Sequence, residues 1–439
     1  MKKKEKMKIL SENNFFEEFL VIQRHFFKEF TGKLKNVKDI RQKKKVKYEP
    51  DILLFMIIMK SCCSIISMNE MESTFNTNKS TENMSKALGY DEELEVLPHY
   101  DTINNFLKEL EVNQLEEIRK YMIKEMLEKR SFEHYRYKNK YWKVAIDATG
   151  MYSFKEKHCE HCLIKRHKNK ETGEVERVEY YHNVLEAKLV LGDMVFSIAT
   201  EFIENENEDV TKQDCELKAF SRLVERLKKE YPRLPICMLG DSLYACNRVF
   251  DICKEYRWRY ILRFKEGSIP SIAEEFNILK KIESKEEKGF NFVNEIDYDD
   301  KKINVAEYVE LVKYKSKKEL IERRFVFITD IEISKNNVED IVAAGRSRWK
   351  IENQGFNNQK NVGYDIEHAC CLNYNAMKNH YLLIQIADII KQLFIKGSEV
   401  LKTLKLSKKN ISSKLKHSFS QETLIIEDIP TSRMQIRDL

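Results

Sequence analysis

WKVAIDATGMYSF, residues 142–154, reads as a strand with one aspartate, Asp147, closing its apolar run. Two further strand-like stretches follow, HNVLEAKLVLG (182–192) and DMVFSIATEFI (193–203), meeting at Gly192-Asp193, a pair suited to a hairpin turn. Leu217, Phe220, Leu223, Val224 and Leu227 then recur at helical spacing, which predicts a helix from about 214 to 231. ICMLGDS (236–242) is the next strand, again with an aspartate, Asp241, after the apolar run. A helix near 247–256 and the strand RYILRF (259–264) complete the series. Three strands, helix, strand, helix, strand is the order of a mixed α/β sheet.

The flanks differ in character. Residues 1–135 read as a helical, basic N-terminal domain, either a DNA-binding module or a scaffold that supports the sheet. Phe15–Phe30 has apolar residues at helical spacing, and Ile52–Met68 resembles a core helix. Asp101 is placed to cap a helix running to Leu110, and another helix spans about 113–129. The polar stretch Asn76–Met84 reads as loop. Beyond the central series, 268–334 reads as a β-rich insertion with strand-like 290–296, 303–314 and 324–328. Helical pattern returns over 338–361, with Gly363 as the C′ residue, and again over 375–394. The expected organisation is a helical domain (1–135), the first part of the sheet core (136–267), the insertion (268–334), the closing helices of the core (335–395) and a basic, weakly structured tail (396–439).

A chain of 439 residues has room for more than one domain and a sizeable core. Its net charge of +6 is unevenly spread: residues 1–50 carry 15 Lys and Arg against 7 Asp and Glu, and residues 401–439 carry 8 against 4, so the middle is acidic. Basic ends around an acidic centre suit a protein that grips a polyanion and holds cations centrally, although a Lys-rich solvated surface gives the same count. The longest apolar run, Ile52–Met59, stops at Lys60. It falls far short of the ~20 residues of a bilayer span, so no membrane partner is expected. Met1–Lys8 is charged and lacks a secretory pattern, and ten scattered cysteines fit a reduced, cytoplasmic setting better than a disulfide framework.

RSRWKIENQGFNNQK, residues 346–360, supplies a third acid. Arg348 and Glu352 are four apart, so on a helix they lie one above the other, and Phe356 continues the line. Taken singly, the pair is an ordinary helix ion pair and each aspartate an ordinary capped turn. Three acids in this order, with an arginine beside one of them, point to metal-assisted phosphoryl transfer.

The constellation resembles the DDE transposases of bacterial insertion sequences, in the branch with a Tyr-Arg-Glu-Lys pattern on the third-acid helix and a β-rich insertion. The resemblance covers roughly residues 95–395, including LPHYDT at 97–102. It implies a ribonuclease-H-like mixed-sheet catalytic core, with Asp147 on the first strand, Asp241 at the end of the fourth and Glu352 on a later helix. Arg348 and Glu352 match the Arg and Glu of the pattern. Gly345 stands at the tyrosine's place and Gln359 at the lysine's, with Lys360 one position later.

The resemblance further implies that Asp147, Asp241 and Glu352 hold two Mg²⁺ (or Mn²⁺) ions, with Asp147 bridging them. Such ions, ~3.5–4 Å apart, activate the attacking oxygen and stabilise the leaving one. Water would nick the DNA and the exposed 3′-OH would attack a second phosphodiester. Arg348 would pin a phosphate through its planar fork, Lys360 would reach another, and Trp349 would stack on a base or join the core. The implied protein is a transposase that binds double-stranded DNA, at element ends and target, as a homodimer. A domesticated DDE nuclease and a catalytically inactive DNA-binding repressor are the competing readings.

HCEHCLIKRH (158–167) is a second chemical cluster, in which Cys159 and Cys162 have the CxxC spacing of a zinc half-site. His167 and His182 would complete a structural Zn²⁺ site, with His158 and His161 as competitors; read otherwise, the segment is a basic surface loop with incidental cysteines. In KQDCE (212–216), Asp214 and Glu216 stand where acids favour a helix dipole and cap the chain, with metal binding as the competing reading. Asp365, Glu367 and His368 of GYDIEH (363–368) read as loop contacts beyond the Glu352 helix.

Overall fold

The computed structural model describes residues 3–42, 44, 46–207, 210–283, 289–313, 320–425 and 436. Eight helices come first: α1 (Lys3–Glu12), α2 (Phe15–Phe26), α3 (Phe30–Lys35), α4 (Pro50–Cys62), α5 (Met68–Phe75), α6 (Asn78–Leu88), α7 (Tyr100–Glu109) and α8 (Val112–Leu127). Local capping explains several of their ends. Asn14 accepts from the Phe16 and Glu17 amides, Ser67 from Glu70 and Thr77 from Ser80, while Gly89, at φ 76, closes α6 in the left-handed region. The expected loop at Asn76–Met84 is therefore mostly helix: its polar residues are helix N-terminus chemistry followed by an amphipathic turn. The cap of α7 is His99, which accepts from the Asp101 amide, so Asp101 lies inside the helix. Every residue of α4 is buried, and its apolar run is the axis of a helical core.

The sheet begins with β1 (Trp142–Phe154), β2 (Leu163–Lys168), β3 (Val175–Leu191) and β4 (Met194–Ile203). The strand β2 was not expected. It pairs antiparallel with the first half of β3, while β4 pairs with the second half, so β3 is one long strand serving both. Helix α9 (Glu216–Glu230), β5 (Ile236–Gly240), α10 (Asn247–Tyr256) and β6 (Arg259–Arg263) follow, with β5 parallel to β1 and β6 parallel to β5. Next come α11 (Pro270–Glu283), β7 (Phe290–Tyr298), β8 (Lys301–Lys313) and β9 (Leu320–Thr329). Tyr314, the end of one expected strand, lies outside the described residues. The strands of 268–334 do not stand apart as their own sheet. Strand β9 pairs antiparallel with β6, giving a nine-stranded sheet of order β2-β3-β1-β5-β6-β9-β8-β7, with β4 on β3.

The chain closes with α12 (Val338–Arg346), a π-helical turn (Ile351–Phe356), α13 (Asn357–Asn361), α14 (Tyr374–Gly397), α15 (Glu399–Leu404) and α16 (Lys408–Gln421). The expected weakly structured tail is thus helical as far as Gln421; residues 426–435 and 437–439 lie outside the described residues. Ser398 and Ser407 cap α15 and α16, and Phe419 of α16 packs edge-on against Phe16 and Phe75. Gly363 has no positive φ. A Cβ there would meet Ser64 Oγ at 2.7 Å, so close approach of the chain to the α4 end, rather than a C′ turn, is what needs glycine. No helix among the described residues is long and apolar enough to cross a membrane.

One continuous core joins α2–α8, α14, α16 and one face of the sheet. A buried polar joint links the two halves: Arg119 of α8 donates to Ser197 Oγ at 2.9 Å and to Thr200 Oγ1, and Thr200 donates to Glu186 Oε1 at 2.6 Å. Gly345 sets another contact. A Cβ there would lie 2.6 Å from ring carbons of buried Phe327 on β9, which is why a tyrosine does not fit. Gly345→Ala is expected to lower stability by roughly 1–3 kcal/mol, overcoming a helix-propensity gain of ~1 kcal/mol, as urea unfolding would measure.

Candidate active site

Asp147 lies within β1 and Asp241 directly follows the neighbouring parallel strand β5. Ala145 of β1 is in register with Leu239 of β5, and each aspartate lies two residues further on, so each shares the face of its partner. That face is covered by the C-terminal helices: Ala145, Leu239 and Ile261 cluster with Val342, Ile351 and Phe356. Gly240 lets Tyr244 fold back beneath the strand end, since a Cβ there would come within 2.9 Å of the Tyr244 ring. Asp241 Oδ1 accepts from the Leu243 amide at 2.8 Å and fixes the short turn Ser242–Tyr244.

The segment after α12 presents the third acid. Its backbone widens into the π-helical turn Ile351–Phe356, a form that recurs at functional sites. Arg348, 7% exposed, bridges two of the acids: Nη1 donates to Asp147 Oδ2 at 3.0 Å and Nη2 pairs with Glu352 Oε1 at 2.7 Å. Burial pushes the Asp147 carboxyl up to about 7; Arg348 opposes this, and the negative charges of Glu352, Asp241 and Glu216 add to it.

Glu216 stands in the first turn of α9, as its sequence position predicts, and its charge also acts on Asp147. Its Oε1 accepts from the buried Tyr244 hydroxyl at 2.6 Å, so it faces the Asp147–Asp241 end of the sheet. Burial raises its pKa, and Asp241 raises it further. Asp214, by contrast, is structural, pairing with Arg222 at 2.6 Å.

Other expected contacts fall around this centre. Trp349 is 48% exposed and touches Phe325 only edge-on, at 6.3 Å between ring centroids. Lys360 pairs with Glu367 at 2.6 Å. Gln359 is fully buried, donating to Gln385 at 2.9 Å and Asp388 at 2.8 Å and accepting from Lys188 Nζ at 2.9 Å. The buried ammonium beside the third-acid segment therefore comes from β3, where Lys188 also lies over the Phe356 ring.

Residues 31–122 match a family model described as DDE_Tnp_1-associated. The matched residues lie in the helical region ahead of the sheet. No curated protein matches the chain. Among solved structures it is similar to a cryo-EM structure of the piggyBac transposase synaptic complex with hairpin DNA, at 12% identity and a TM-score of 0.44, over 92% of this chain and 80% of that one.

The Cys/His cluster is real but differently composed. His158, Cys159, Cys162 and His182 place one ligand atom each within 4.8 Å of all the others, and they are the one such group among the described residues. The three acids are not drawn together to that distance. His167 is not part of the cluster: β2 pairs it across from Arg177, and its Nε2 meets Glu179 Oε2 at 2.8 Å. His161 is engaged by the Asn205 carbonyl at 2.8 Å.

Proposed function

We propose that this chain is a DDE transposase of the insertion-sequence type, cleaving DNA and transferring strands through Asp147, Asp241 and Glu352. The observation that carries the reading is that Arg348 bridges Asp147 and Glu352, while Asp241, at the end of the neighbouring parallel strand, lies on the same sheet face as Asp147. The β4-β3-β1-β5-β6 part of the sheet supports a ribonuclease-H-like core: β3 is antiparallel to both β1 and β4, whereas β5 and β6 run parallel to β1.

The residues present fit a pair of Mg²⁺ or Mn²⁺ ions. Their donors are hard carboxylate oxygens, and burial, with repulsion from the neighbouring acids adding to it, raises the Asp147 carboxyl well above its ordinary range. A guanidinium already lies between two of them, so the cluster attracts positive charge. When bound, the ions supply Lewis-acid stabilisation of the attacking and leaving oxygens. Asp147, Asp241 and Glu352 would hold them. Arg348 orients Asp147 and Glu352 and has the planar fork that suits a phosphate. The exposed Trp349 ring next to it offers a stacking surface for a base, and Lys360 lies at the rim. Double-stranded DNA is the partner, engaged by a homodimer.

One observation favours a nuclease that cuts without joining. Gln359, where the family pattern has a lysine, is sealed in a side-chain network away from solvent. The test is to sequence the DNA flanking the gene and incubate the purified chain with a duplex carrying any inverted repeats found there, with Mg²⁺ or with EDTA. Nicked and joined products in Mg²⁺ are expected. Nicks without joining select the nuclease, and no metal-dependent product overturns both readings.

A further inference from the structure

We infer that His158, Cys159, Cys162 and His182 bind one Zn²⁺ as a tetrahedral structural site. The inference does not rest on the proposed activity, because the residues lie outside the acid cluster and their chemistry differs from it. Two thiols and two imidazoles select zinc over the hard cations that carboxylates prefer.

The geometry is that of a closed site. Zn–S and Zn–N bonds at tetrahedral angles place sulfurs roughly 3.8 Å apart and each sulfur roughly 3.6 Å from a nitrogen. Cys159 Sγ and Cys162 Sγ are 3.3 Å apart, and they lie 3.4 and 3.6 Å from His182 Nε2. A sulfur separation of 3.3 Å is far beyond a disulfide bond of ~2.05 Å. Neither ring nitrogen of His158 has a well-formed hydrogen bond among the described residues, and both are buried, so one is free to take a metal. Polar atoms shut away from water without partners are costly unless something else satisfies them. On binding, the two thiols give their protons to solvent and the imidazoles coordinate as neutral rings.

The surroundings say what such a site does. His158, Cys159 and Cys162 come from the loop between β1 and β2, and His182 from β3, opposite Tyr152 of β1. Tyr374, at the start of α14, stacks on His182 at 4.1 Å and 18°. Asn205 donates to the Cys162 carbonyl at 2.9 Å. One ion would therefore lock the β2–β3 arm, with its Lys165, Arg166, Lys168 and Arg177, to β1 and to the beginning of α14. A β-bulge between Gly150 and Tyr152 separates this anchor from Asp147 on the same strand.

The test uses the full chain, purified under reducing conditions without chelator. Elemental analysis is expected to find one zinc per chain, released in step with mercurial blocking of the two thiols. Exchange for Co²⁺ should give tetrahedral d–d absorption with sulfur-to-cobalt charge transfer. His158→Ala and Cys162→Ser should lose the metal, while His167→Ala keeps it. A chain that takes up no zinc after dialysis against it overturns the inference, as does a Co²⁺ spectrum without sulfur bands. Equal loss in the His158 and His167 variants also overturns it. The Co²⁺ spectrum is read on the unaltered chain, so the outcome stands even if a variant fails to fold.

Discussion

An Asp241→Ala protein is expected to lose Mg²⁺-dependent DNA cleavage by roughly 10³-fold or more, several kcal/mol of transition-state stabilisation, while still binding DNA. The reason is local. Asp241 stands at the end of β5 on the face shared with Asp147, where no neighbouring carboxylate replaces it: Glu216 is tied to Tyr244, and Glu352 is held by Arg348. Alanine also removes the acceptor for the Leu243 amide, a cap worth ~1 kcal/mol. Asp241→Asn separates the two effects, since the amide oxygen keeps the cap and the charge is lost. It is expected to be as inactive as the alanine variant and close to the parent in thermal stability. Single-turnover cleavage and melting curves measure the two quantities. Parent-like cleavage by either variant would remove Asp241 from the reaction.

The second large effect is on stability. Asp147 has its carboxyl raised from 3.8 to about 7, with burial as the first cause. The folded protein therefore holds a proton there that the unfolded chain releases at lower pH. A group with a raised folded pKa contributes stability that is complete below the unfolded value, and this is lost as pH rises through the folded one. In EDTA, stability is expected to fall by a few kcal/mol between about pH 4 and pH 7 from this group alone. Asp147→Asn cannot ionise, keeps an oxygen for Arg348 and should remove most of that slope, making the variant the more stable protein at pH 8 while it cannot cleave DNA. Denaturant unfolding across pH measures this. A parent-like slope in the variant would show that Asp147 ionises freely in the folded protein.

Much of this site was legible from short-range pattern. The pairing of Arg348 with Glu352 follows from their spacing of four, and the π-helical widening did not break it, because the widening starts beyond Arg348. The strands that carry Asp147 and Asp241 declare themselves by apolar runs that end at an acid. The contact of Glu216 with Tyr244 was hidden because β5 separates the two in the chain and they meet only where Gly240 allows the ring to fold back. His158 was hidden for a similar reason. Spacing alone ranks it no higher than His167, and the choice is made by the β2–β3 register, which turns His167 towards Glu179.

The same division holds for the whole chain. Its amino-acid sequence determined by itself most of the strands and helices in the centre, β2 excepted, because short apolar runs and period-3.6 burial are local properties of a few residues. Only the tertiary structure decided that the strands of 268–334 extend the same sheet through β9, that the polar Ser- and Lys-rich tail folds as α15 and α16, and that the N-terminal helices share a core with α14. Those outcomes depend on surface supplied by residues hundreds of positions away. No window of the sequence contains both sides of such a contact.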